Sequence, residues 1–189
     1  MQLNYGLFDS YAGFESARMQ FRKFTEEDAD DLFLLRTNDE VMKYVDTQPL
    51  ASIEEAGKMI ESFHNLYAEK NGIVWAVIEK ETDEFMGHFS IFNINHKHCR
   101  VEVGYIIMQK FWNKGYMTEA LQKMIPVAFD KINAHSIEAN VNPYNTASIK
   151  LLEKTGFKKE AYFRENYLFN GKFLDSVIYS LLEKDFIRL

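Results

Sequence analysis

Three β-type runs stand almost end to end in the middle of this 189-residue chain: Ile73–Glu79, Phe85–Asn95 and Val101–Met108. Each is rich in branched and aromatic residues. The polar stretches between them, Lys80-Glu81-Thr82-Asp83-Glu84 and His96-Lys97-His98, are short. Links of that length join antiparallel neighbours and are too short for a parallel crossover. The chain must therefore build around an antiparallel meander, which the remaining segments cover or extend.

Before the meander, Met19–Phe24 reads as a short strand. Thr25, followed by Glu26, Glu27 and Asp28, has the form of a helix N-cap, with Ala29, Leu32, Phe33 and Arg36 at helical spacing behind it. Ser52-Ile53-Glu54-Glu55 is a capping box ahead of Ala56, Met59, Ile60, Phe63 and Tyr67. After the meander, Leu121, Met124, Ile125, Ala128 and Ile132 predict a helix starting near Met117. Pro126 should kink it or end its regular part near Ile125. Ser136–Val141 is a short strand, and Asn145 caps a helix that stops at Gly156. Asn170-Gly171, between Tyr162–Phe169 and Phe173–Leu182, is the strongest hairpin signal in the chain. Residues 1–17 show no period and read as an extended or loosely packed lead-in, which leaves 18–189 as one domain. No repeat or linker interrupts it. The order predicts a mixed α/β fold with an antiparallel first half and a βαβ-like centre.

Composition narrows the function classes. Apolar types make up 47 % of the residues, with 16 Phe, 10 Tyr and 2 Trp, so a packed core is expected rather than disorder. A net charge of −6 argues against direct nucleic-acid binding, which needs clustered Lys and Arg. Cys99 is the only cysteine, which excludes an internal disulfide and points to the cytoplasm. The first fourteen residues lack the form of a signal peptide, and no apolar run approaches the roughly 18 residues of a membrane span.

Two stretches carry candidate chemistry. Trp112-Asn113-Lys114-Gly115-Tyr116-Met117-Thr118-Glu119-Ala120-Leu121 leaves a strand and opens a helix. That junction aims free backbone N–H groups and a positive dipole end at one spot, with Lys114 adding a point charge for a phosphate. An ordinary turn with Gly115 at positive φ explains the same residues. Asn142-Pro143-Tyr144-Asn145-Thr146-Ala147-Ser148 likewise reads as a well-capped helix start or as part of a site. Neither common nucleotide loop is present, and no G-x-S-x-G elbow suggests a serine hydrolase. His96 and His98 share a strand face with Cys99 nearby, but a closed metal site needs four ligands; an exposed turn fits better. His88 reads as structural within its strand, and Tyr144 either packs on the helix cap or covers an acceptor site.

Taken together, Trp112–Leu121 and Asn142–Phe157 resemble the GNAT acetyltransferase superfamily, in the subgroup of Rim-type ribosomal-protein alanine N-acetyltransferases. Thr82–Gly87, Val101–Tyr105 and Gly171–Asp175 fit the same subgroup, and the resemblance runs from about Arg18 to Phe186. It implies a mostly antiparallel sheet splayed between its fourth and fifth strands, with helices on both faces. It also implies acetyl-coenzyme A as donor, no metal, and an amine acceptor, either a protein N-terminus or a small molecule. Asn113, Lys114, Gly115, Tyr116, Met117 and Thr118 would wrap the pyrophosphate through backbone amides. Ile106, Ile107 and Met108 would pair with the pantetheine arm, and Asn145 would contact it by its side chain. A backbone N–H near Ile107 would stabilise the oxyanion. Glu102 carries over as the base for the incoming ammonium and Ser148 as the proton donor near the sulfur.

The chain departs from the pattern at Asn113 and Met117, where small residues are usual, and at Leu152, where many relatives carry a tyrosine acid. Those departures leave one rival reading, an acyl-coenzyme A-binding module without turnover. The last hairpin could serve a dimer, so monomer and homodimer both stay open.

Overall fold

In the computed structural model, which describes residues 2–9 and 13–187, the meander is the centre of an eight-stranded sheet. The strands are β1 (Phe14–Glu15), β2 (Met19–Lys23), β3 (Ile73–Glu79), β4 (Phe85–Asn95), β5 (Arg100–Ile107), β6 (Ser136–Val141), β7 (Lys158–Phe169) and β8 (Lys172–Leu182). Their order across the sheet is β1-β2-β3-β4-β5-β6-β8-β7, and every pairing is antiparallel except β5 with β6. That parallel pairing is brief. It joins Arg100 to Ser136, Val101 to Ile137 and Glu102 to Glu138, after which the two strands diverge into a wedge. The expected splay is therefore present, between β5 and β6 because Phe14–Glu15 adds a strand ahead of the first one read from sequence.

Helices α1 (Ala29–Thr37), α2 (Asp39–Met42) and α3 (Ile53–Ala68) cover one face, and α4 (Tyr116–Pro126) with α5 (Thr146–Lys154) covers the other. Alternation along the strands sorts the core accordingly. Val74, Ala76, Ile78 and Ile106 meet Leu32, Leu35 and Ile60, whereas Trp75, Val77, Phe89 and Ile91 meet Leu121, Met124 and Phe129.

Local signals act largely as read. Asn170 and Gly171 both have positive φ, 48° and 74°, as a two-residue hairpin turn requires. The α-helical part of α4 ends at Pro126 and continues as a wider turn over Val127–Lys131, where Ile132 N–H reaches the Val127 carbonyl at 3.2 Å. A proline without an N–H cannot continue the regular ladder. At α3 the Ser52 hydroxyl accepts from Glu55 N–H, but the Glu55 carboxylate takes the Ala51 N–H rather than that of Ser52.

The lead-in is less loose than its sequence suggests. Residues 6–8 form a turn of 3₁₀ helix, and Leu3, Leu7 and Phe8 are buried in the main core. Met1 and residues 10–12 of that segment lie outside the described residues, as do Arg188 and Leu189 at the far end.

Candidate active site

The wedge opens onto a cavity of about 390 Å³. One wall is the turn into α4, with Trp112, Asn113, Gly115, Tyr116, Met117 and Thr118; a second is the start of α5, with Asn145, Ala147, Ser148 and Leu151. Tyr105, Ile106 and Ile107 of β5 form its floor. The volume is in the ordinary range for a small-molecule site.

Two backbone positions shape the first wall. Asn113 and Gly115 have φ of 59° and 79°, so the chain enters α4 through two left-handed positions. Asparagine tolerates this region better than most residues, which answers its presence where a small residue is usual. Gly115 is the N-cap of α4 and supplies no side chain, which leaves the first-turn N–H groups without a side-chain cap. Such a junction favours an anion.

Arg18 holds this turn, and its role was not legible in the sequence. Its main-chain N–H and Nε donate to the Glu119 carboxylate at 2.9 and 2.8 Å, and its Nη1 donates to the Lys114 carbonyl at 3.0 Å. The guanidinium lies 4.1 Å over the Tyr116 ring. Its partners are 96 and 101 residues away, so no local pattern reveals the clamp.

At the second wall the Asn145 side chain caps α5 by accepting Ser148 N–H at 3.1 Å. Ser148 Oγ is 2.7 Å from the Tyr105 hydroxyl. Burial pushes the Tyr105 phenol up to about 12, so it stays neutral at physiological pH. Leu152, one turn further along α5, is fully buried in the core and does not reach the cavity.

On the floor, Met108 N–H donates to the Met86 carbonyl at 2.7 Å, so that donor faces β4. Alternation then turns the main-chain groups of Ile107 toward the wedge. Its carbonyl accepts from the Trp112 indole at 2.8 Å, which leaves the Ile107 N–H as the donor facing the gap.

The structure thus brings together Ile106, Ile107, Asn113, Gly115, Tyr116, Met117, Thr118, Asn145 and Ser148. Met108 and Lys114 lie next to the cavity rather than on its lining, and the Lys114 ammonium sits 5.9 Å from the Phe111 ring centre. Glu102 also lies outside the lining. It shares a strand face with Ile106, opposite to Tyr105, at the last pair before β5 and β6 part. Burial raises its pKa, against hydrogen bonds from Asn93 Nδ2, at 2.8 Å, and from the Asn140 main chain. The Glu102 carboxyl thus stands where β5 and β6 begin to part.

A further wall comes from Glu40, Val41, Lys43, Tyr44 and Val45, on α2 and the loop after it. The loop is tied across the opening by Asp46, which accepts from the Tyr167 hydroxyl of β7 and from Asn142 Nδ2 at 3.4 Å. Elsewhere, His96 is engaged by the Tyr5 hydroxyl, and among the described residues no three His, Cys, Asp or Glu side chains converge as metal ligands. No helix among them is long and apolar enough to cross a membrane.

Residues 18–158 match the acetyltransferase (GNAT) domain family. The chain belongs to the GNAT acetyltransferase family. This GNAT chain is 36 % identical over 169 residues to the uncharacterized N-acetyltransferase YoaA of Bacillus subtilis (strain 168), covering 89 % of the chain and 96 % of YoaA. Its fold matches the ribosomal L7/L12 α-N-protein acetyltransferase RimL in complex with coenzyme A, with a TM-score of 0.82 at 18 % identity over 90 % of this chain and 98 % of that one. It also matches the Vibrio cholerae spermidine N-acetyltransferase in complex with coenzyme A and spermine. There the TM-score is 0.78 at 21 % identity, over 89 % and 98 % of the two chains. The mixed sheet with its wedge is the GNAT fold.

Proposed function

We propose that this GNAT protein transfers an acetyl group from acetyl-coenzyme A to a primary amine by direct attack within a ternary complex. The observation that carries this reading is the wedge itself. An anion-favouring helix start, a free strand-edge N–H at Ile107 and a hydroxyl at Ser148 all border one cavity. Such a set suits a long thioester with a phosphate end and a reactive end.

Each residue then has a separable task. The amides of 113–118 bind the pyrophosphate, while other main-chain groups of the parted β5 edge and the Asn145 amide align the arm. Ile107 N–H stabilises the oxyanion, which for one donor is worth about 3 kcal/mol in other enzymes. Glu102, through a water, accepts the ammonium proton, and Ser148 returns a proton to the sulfur as the thioester breaks. The acceptor is a protein N-terminus or a small amine; the relatives named above are consistent with either class.

The test is thioester consumption with a panel of spermidine, spermine, small monoamines and peptides with N-terminal alanine or serine, products being identified by mass. Turnover with any of them supports the reading. Thermal stabilisation by acetyl-coenzyme A with no acetylated product from a cell extract would favour a binding module. No stabilisation at millimolar concentration defeats both, because a bound ligand at a hundredfold excess over Kd adds about 2.7 kcal/mol.

A further inference from the structure

We propose that Tyr105 is a positioning residue for the transfer: its hydroxyl donates to Ser148 Oγ and thereby turns the Ser148 proton into the cavity. The inference rests on the reading of Ser148 as proton donor and extends it to a residue on a different element. The two oxygens are 2.7 Å apart, and both side chains border the same cavity.

The direction of that hydrogen bond follows from chemistry. A phenol is the more acidic hydroxyl and an aliphatic alcohol oxygen the more basic acceptor, so the lower-energy arrangement has Tyr105 donating. Buried tyrosine hydroxyls also need an acceptor, and Ser148 Oγ is the one seen for Tyr105. The raised pKa of Tyr105 keeps its proton in place at working pH. With its lone pair engaged by Tyr105, the Ser148 hydroxyl has its own hydrogen left to give. The backbone of Ser148 is held independently by Asn145, which leaves χ1 and the hydroxyl torsion, and the Tyr105 contact restrains both.

The ring of Tyr105 is itself held. It stacks on buried Phe89 at 5.8 Å between centres, with 27° between planes. Leu152, one turn after Ser148, supplies no hydroxyl to α5. In the step itself the amine nitrogen bonds to the carbonyl carbon and the carbon–sulfur bond breaks. The sulfur takes the Ser148 hydroxyl proton, which solvent replaces, and Tyr105 keeps its own.

The test is Tyr105→Phe, which retains the stacked ring, alongside Ser148→Ala and the double variant. Bound coenzyme A is titrated by its thiolate absorbance, a readout that needs no acceptor, and steady-state rates follow with any amine the panel identifies. Tyr105→Phe is expected to raise the pKa of the bound thiol. It should also lower kcat about three- to tenfold at unchanged KM, the range of one neutral hydrogen bond. The double variant should lose no more than Ser148→Ala alone. A wild-type titration and kcat for Tyr105→Phe with a defective Ser148→Ala overturn the role of Tyr105 alone. A wild-type Ser148→Ala overturns the reading of Ser148 and this proposal with it. Additive losses, or a loss in KM rather than kcat, make Tyr105 a packing residue and also reject the inference.

Discussion

The Trp112 indole N–H donates to the carbonyl of Ile107, 2.8 Å away, and so closes off one of the two main-chain groups that Ile107 turns toward the wedge. A tryptophan at the entrance to the α4 turn thus defines how the strand edge presents itself to a ligand. Trp112→Phe keeps an aromatic ring but frees that carbonyl, which then competes for water in the gap. Affinity for coenzyme A should fall about fivefold, the equivalent of one hydrogen bond near 1 kcal/mol. Calorimetric titration reads this directly, and an unchanged Kd would mean that the indole contact does not shape the edge.

Glu102→Gln removes the proposed base while keeping an oxygen for Asn93. Turnover at neutral pH should fall about 10²–10⁴-fold with little change in coenzyme binding. Because burial raises the pKa of Glu102, the acid limb of the wild-type rate profile should lie above the ordinary glutamate range. Activity is lost as pH drops through that raised value, since the protonated carboxyl cannot accept. Rates for the variant that equal the parent from pH 6 to 9 would exclude Glu102 from the mechanism.

Ser148→Ala should lower kcat about tenfold or more, the low end for acid catalysis. Read from sequence as an N3 residue, Ser148 should contribute under about 1 kcal/mol to stability, because Asn145 still caps α5 without it. The Tyr105 contact changes that expectation. Its part-buried hydroxyl loses its protein acceptor, which costs up to about 1–3 kcal/mol where water in the cavity does not replace it. Chemical denaturation at equal buffer and ligand measures the difference; a loss within error would mean that water replaces the serine.

What could be read in advance was what the chain encodes locally. Asn170-Gly171 names its own turn, Asn145 names its helix start, and Gly115 marks the left-handed entry to α4. Each is a backbone demand met by one or two neighbouring residues. Most of the expected coenzyme contacts converge for the same reason, since they come in two short contiguous stretches. The Arg18 clamp, the Tyr105–Ser148 pair and the Asp46 tie bring together segments 43 to 121 residues apart, and only the folded sheet creates them. The four-residue α2, which supplies a cavity wall, is too short to show a helical period. Glu102 is a candidate base by family resemblance, but its side of the sheet depends on the register with β4 and β6.

His88 supplies a prediction independent of catalysis. Its pKa is lowered to about 3, first by burial and then by the nearby Arg36 charge, and its ring packs against Phe24 and Phe63. An unfolded histidine titrates near 6.5, so protons favour the unfolded chain below that pH. The stability associated with neutral His88 is complete above pH 6.5 and is lost as pH falls toward 3. The slope approaches about 1.4 kcal/mol per pH unit, or about 2 kcal/mol at pH 5. His88→Gln should flatten the decline between pH 7 and pH 5 whatever it does to absolute stability. Parallel pH profiles for variant and parent would show that His88 titrates normally in the native state.

The wedge between β5 and β6 also bears on how the molecule is held together. Strands β1–β5 and β6–β8 share one sheet, yet only three registered residue pairs stitch the two halves. A pantetheine arm lying along the Ile107 edge would continue the ladder that β6 abandons, so the co-substrate doubles as a removable piece of secondary structure. On that proposed placement, donor occupancy and the order of the parted β5 edge would be coupled. Amides along the parted stretch of β5 should exchange with solvent at a rate set by donor concentration, while those of β3 and β4 stay indifferent to it. Each turnover would briefly unfasten a seam of the fold, and the acetyl donor would be what closes it again.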